Sequence, residues 1–116
     1  MKHSIGLTIT ANTLMTIITV PEGYVAEVDM IYTHNESASN KHVSIYWQHA
    51  HNPAHQIYVL YQHIVSSKDY YKFDNGSIVL QAGDTLNILT ETGSTYSVIA
   101  TFDLRKEKPL YTFLNA

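Results

Sequence analysis

At 116 residues with no cysteine and a formal charge of −3, the chain is sized for one domain burying roughly two-thirds of its unfolded surface, with neither disulfides nor thiolate metal sites. Seven Lys and Arg against ten Asp and Glu leave no basic field to hold nucleic acid. Apolar residues fall in short runs, none near the ~20 of a membrane span, and Met1-Lys2-His3-Ser4 lacks the apolar core of a secretory signal, so the expectation is a protein made inside a cell that binds neither membrane nor nucleic acid.

Ile5, Leu7 and Ile9 alternate with polar residues and predict a first strand. Ala11-Asn12-Thr13 reads as a turn. Leu14 to Val20 is apolar on both faces, with Leu14, Ile18 and Val20 on one and Met15 and Ile17 on the other; such a strand is covered twice or lies at an interface. Pro21-Glu22-Gly23 breaks it, with Pro21 suited to a turn's second position and Gly23 free to take a positive φ. Val25 to Thr33 alternates: Ala26, Val28, Met30 and Tyr32 on one face, Glu27, Asp29, Ile31 and Thr33 on the other. Asn35 to Lys41 reads as a polar hairpin loop. The return strand, His42 to Gln48, points Val43, Ile45 and Trp47 inward and Ser44, Tyr46 and Gln48 outward.

His49 to His55 reads as a loop broken by Pro53, and Gln56 to Gln62 is again apolar on both faces. Tyr70 to Phe73 predicts a short strand, and Asp74 to Ser77 a turn. Ile78 to Leu89 is the most informative stretch. Two β-branched runs meet at Gln81-Ala82-Gly83-Asp84, where Gly83 can take a positive φ and Asp84 can accept backbone N–H bonds. That predicts two strands at a sharp corner, with Tyr96 to Phe102 as the next strand. The whole is all-β: an antiparallel two-sheet β-sandwich, jelly-roll-like, of eight to nine short strands. Its expected limits are residues 1–103. Residues 104–116 form a C-terminal arm, charged as far as Lys108, ended by Pro109, then apolar at Leu110, Tyr111, Phe113 and Leu114. Four large apolar side chains in five residues predict an interface.

Four of the seven histidines, His49, His51, His55 and His63, lie within fifteen residues. His-x-His on a strand puts two imidazoles on one face, and the spacing of His49, His51 and His55 resembles the first metal motif of cupins. Three departures stand against it: the Glu of that motif is replaced by His55, its glycines are missing, and no histidine follows Gly83-Asp84. These three are metal candidates whose plainer reading is a polar loop, and no metal or other cofactor is expected. Glu27 and Asp29 share a strand face and could do acid–base work, or simply face water. No nucleophile elbow or phosphate-binding glycine loop is present, so no catalytic residue is expected. Of nine tyrosines, Tyr46, Tyr58, Tyr61, Tyr70, Tyr71 and Tyr111 exceed what one small core holds. Tyr46 and Tyr58 are expected at an interface, though cross-strand pairing or sugar stacking would also use such residues.

Thr19-Val20-Pro21-Glu22-Gly23-Tyr24-Val25-Ala26-Glu27-Val28, then Asn35, then Val43 to Trp47, and later Asn75 to Leu86 with its Leu-x-Ala-Gly-Asp-x-Leu corner, resemble small structural proteins of tailed bacteriophages. The resemblance runs from about Thr8 to Leu104. It implies a non-enzymatic virion component assembled in the host cytoplasm: a decoration (cement) protein that binds and stabilises the head, self-associating as a homotrimer; Pro21, Gly23, Gly83 and Asp84 are read as structural turns from their own chemistry. A tail, neck or fibre subunit, a cupin-like metal protein and a carbohydrate-binding module are the alternatives.

Overall fold

The structure, a computed structural model, describes residues 1–10, 14–50, 52–74 and 78–107, without the side chains of 52–55. Nine strands run through these residues: β1 (Lys2–Thr10), β2 (Met15–Thr19), β3 (Tyr24–Asn35), β4 (Lys41–His49), β5 (Asn52–Val65), β6 (Tyr70–Phe73), β7 (Ile78–Leu80), β8 (Thr85–Thr90) and β9 (Thr95–Lys106). They form two antiparallel sheets. The front sheet has the order β2-β8-β4-β5; the back sheet has β1-β9-β3, with β6 and β7 both pairing β3 on its far side. Successive strands mostly change sheet, which is the winding of a jelly roll, the fold class the sequence predicts. Ile45, Leu86 and Ile88 of the front sheet meet Val28, Ile31 and Val98 of the back sheet in a core that leaves them 2% exposed or less.

Alternation fails where a strand carries an extra residue. Pairing of β3 with β9 shifts between Val28 and Met30. Ala26 and Val28 face inward before the bulge; Ile31, Thr33 and Asn35 are the fully buried ones after it, whereas Met30 and Tyr32 are only half-buried. The alternation put Met30 and Tyr32 on the face of Ala26 and Val28; the bulge flips every later side chain and brings Ile31 and Thr33 inward instead. A second bulge, between Thr16 and Ile18 of β2, lets neighbouring Ile17 and Ile18 both be buried at 3% exposure. Leu14 lies 48% exposed beside them.

Three connections differ from expectation. Asn35 to Lys41 is no hairpin, because β3 and β4 lie in different sheets; buried Asn35 holds this crossing, donating from Nδ2 to the Val65 and Ser39 carbonyls and accepting the Ser37 N–H. The β4–β5 hairpin is instead tight, with His49 opposite Asn52, so strand replaces most of the expected loop. Pro21 takes the first position of its turn, since Tyr24 N–H donates to the Pro21 carbonyl, and Gly23 takes the third with φ 81°. Strand β9 also runs past Asp103 to Lys106, and Leu104 packs on the core. The expected turns at Ala11–Thr13 and Asn75–Ser77, and Leu110, Tyr111, Phe113 and Leu114, lie outside the described residues.

Candidate functional site

The Gln81–Asp84 corner carries the chain from β7 in the back sheet to β8 in the front sheet. Gly83 has φ 85°, and a Cβ there would meet the Ala50 Cβ at 2.9 Å. Asp84 is fully buried and accepts three N–H bonds: Trp47 Nε1 at 3.0 Å, Gln81 N at 2.9 Å and Ala50 N at 2.9 Å. One carboxylate thus ties the corner, the β4–β5 hairpin and the indole together. Trp47 faces inward as expected but is only partly buried, stacked on His49 with ring centroids 5.3 Å apart. A shallow depression lined by Gln48, His49, Ala50, Gly83 and Thr85 opens beside them.

The histidines do not come together as a described ligand set. His49 Nδ1 lies 3.8 Å from Asp84 Oδ1. His63 packs on Tyr71 of the opposite sheet with centroids 4.3 Å apart, bridging the sheets. His51, and the His55 side chain, lie outside the described residues. Among the described residues, no three His, Asp or Glu side chains gather as metal ligands would. Asp29 is paired with Lys2, whose ammonium is held further into its charged form chiefly by that bond. Glu27 stands opposite Asp103 across the β3–β9 ladder. These carboxylates belong to a charged, wet sheet face.

The outer faces of the two sheets differ sharply in charge. Strands β1, β3, β6 and β9 of the back sheet carry Lys2, Glu27, Asp29, Lys72, Asp103, Arg105 and Lys106. The four strands of the front sheet carry one formal charge, Lys41, at a strand end and 3.4 Å from Glu91. Strand register sets the front sheet's outward residues: Thr16 and Thr19 on β2, Thr85 and Leu89 on β8, Ser44 and Tyr46 on β4, Tyr58 and Ile64 on β5.

On this face Tyr58 is 49% exposed, Tyr61 62% and Ile64 66%. Tyr58 meets Tyr61 edge-on at 4.8 Å and Tyr46 at 5.5 Å. Tyr46 itself is buried, and that burial raises the pKa of its hydroxyl, with Tyr58 adding to the effect. Within the single chain it supports Tyr58 from beneath. The sequence reading missed Ile64. The signal was available, since residues 52–65 contain no Lys, Arg, Asp or Glu. On the back sheet Tyr70 stacks on Tyr32 at 5.4 Å, with Ile99, opposite Tyr32 on β9, 42% exposed and Lys72 opposite Tyr32 on β6.

No family model matches the chain, and no curated protein does. Solved structures share its fold. A chain of the acidic stable capsid of Helicobacter pylori bacteriophage KHP30 superposes with a TM-score of 0.54 at 8% identity, over 94% of this chain and 100% of that one. A protein of the disulfide-linked pili of Bacillus endospore appendages gives 0.51 at 15% identity, over 93% and 88%. The Drosophila NLP core, described for pentamer formation and histone binding, gives 0.51 at 13%, over 90% and 99%. At such identities the likeness is one of fold, on which function is grafted separately. All three are described as parts of assemblies.

Proposed function

We propose that this protein is a non-enzymatic structural component of a bacteriophage virion, acting by contact as a decoration protein that binds and stabilises the head. The observation that carries this reading is the segregation of charge: one jelly-roll face is charged, the other is neutral and studded with tyrosine. Interface cores are depleted of charge and enriched in aromatic residues, whereas a face that works in water has no need to exclude charge. The fold shared with a chain of a phage capsid, and the phage-like pattern around Pro21 and Gly83, support the same reading. The apolar residues Leu110, Tyr111, Phe113 and Leu114 are the segment we assign to the head surface, leaving the front face for contacts between copies.

The test is the particle. Mass spectrometry and image reconstruction of virions produced with this chain are expected to find it in many copies on the head. Truncation after Lys108 is expected to keep a cooperative melt and lose head binding. Absence from purified virions would overturn the reading, and copies found only on a tail, neck or fibre would favour that alternative.

A further inference from the structure

The front face could meet a partner along its free edge or across its surface. Strand β5 opposes the first. Its pairing with β4 shifts register at three places, and Gln62 sits at φ 45°. Bulges of that kind twist an edge away from a straight incoming strand. What remains is the outward surface, with Tyr58, Tyr61 and Ile64 standing proud of it.

An occupant of this surface has to be neutral where it touches, because a charge brought there would lose its water with no opposite charge to meet. The face itself satisfies that condition. It is also complementary to itself in hydrogen bonding, since tyrosine and threonine hydroxyls and the Gln56 amide both donate and accept. A chain of net charge −3 repels its copies elsewhere, but not here. We propose that two copies of this chain pack front sheet on front sheet about a twofold axis, with Tyr58, Tyr61 and Ile64 of the edge strand β5 standing highest in the contact. This rests on the contact reading above and names the partner.

The extent of the face fixes the strength expected. Four strands at ~4.8 Å spacing and about six residues at ~3.3 Å rise give a patch of ~400 Å² before side-chain relief. Specific interfaces bury about 800 Å² of accessible surface per partner. The pair is therefore weak in solution, with a dissociation constant in the micromolar range or above, and becomes firm only where many copies are held side by side. A trimer, the copy number expected from the sequence, would need two unlike patches to meet head to tail.

Sedimentation of the full chain across a wide concentration range tests the pair. The expected result is a monomer–dimer equilibrium, shifted at least tenfold towards monomer by Tyr61→Lys or Ile64→Lys and unmoved by Ile99→Lys on the opposite face. Tyr61→Ser serves where the lysine variant fails to melt cooperatively. A monomer at every concentration, a trimer, or loss of association on Ile99→Lys would overturn the pairing. Head binding is measured separately: a chain that reaches heads unpaired sinks this inference alone, and one that pairs but is absent from virions sinks the virion reading alone.

Discussion

Asp84 shows how a single side chain can reinforce a corner whose backbone is itself bonded, Gly83 N–H donating to the Val20 carbonyl and Val20 N–H to the Asp84 carbonyl. Its two oxygens accept three N–H donors from two segments, the corner itself and the β4–β5 hairpin. The sequence marks Asp84 as a turn residue, for which Asn is a mild replacement. The structure corrects that, because an amide offers only one acceptor oxygen and turns a donor towards a donor. Asp84→Asn is expected to cost roughly 1.5–3 kcal/mol, the range for hydrogen bonds to charged groups. Trp47→Phe, which keeps a ring but removes one donor to the buried carboxylate, is expected to cost about 1–3 kcal/mol. Chemical denaturation of both variants checks this, and two neutral substitutions would show that the carboxylate is dispensable. Gly83 and Asp84 could be read from the sequence because turn chemistry is local. The partners Trp47 and Ala50 could not, since they arrive from a hairpin more than thirty residues away.

Among the elements, strand periods were readable wherever the ladder is regular. β9 buries Tyr96, Val98, Ala100 and Phe102 as its alternation predicts. Bulges in β2 and β3 carry no local signature, so the inward face after Val28 came out inverted. Crossings were equally hidden: a polar loop reads the same whether it closes a hairpin or bridges two sheets. The far end of the sandwich is fixed by side chains that join loops to strands. The Tyr96 hydroxyl donates to the Lys41 carbonyl at 2.8 Å, and burial pushes its pKa from the ordinary 10 up to about 12. Glu91 is held below the usual carboxylate range, first by the bond from His42 N–H.

The pH dependence follows from the direction of each shift. A tyrosine pKa raised by folding gives stability that is complete below pH 10 and lost as pH rises towards 12. A lowered carboxylate pKa gives stability present at neutral pH and lost as pH falls through the folded value. The melting temperature is expected to fall above pH 10, and Tyr96→Phe is expected to flatten that fall while costing about 1 kcal/mol at neutral pH for the lost hydrogen bond. An unchanged alkaline slope in Tyr96→Phe would mean that another group titrates there.

For the whole molecule, the decisive pattern is where charge is placed, not how much there is. Net charge and charged fraction describe an ordinary surface; only the strand order shows that β2, β5 and β8, without Lys, Arg, Asp or Glu, and β4, with Lys41 alone, share one sheet, while β3 and β9, the strands richest in charge, share the other. That sorting was written in the sequence strand by strand but could not be summed without the topology. The front face as working surface is tested most directly by hydroxyl-radical footprinting of tyrosines in free and assembled protein. Tyr58 and Tyr61 on the front face and Tyr70 on the back are all about half exposed or more in the single chain, so each serves as a control for the others. Assembly is expected to suppress oxidation of Tyr58 and Tyr61 several-fold and leave Tyr70 unchanged. Protection of Tyr70 with undiminished labelling of Tyr58 and Tyr61 would place the contact on the charged sheet and contradict the assignment.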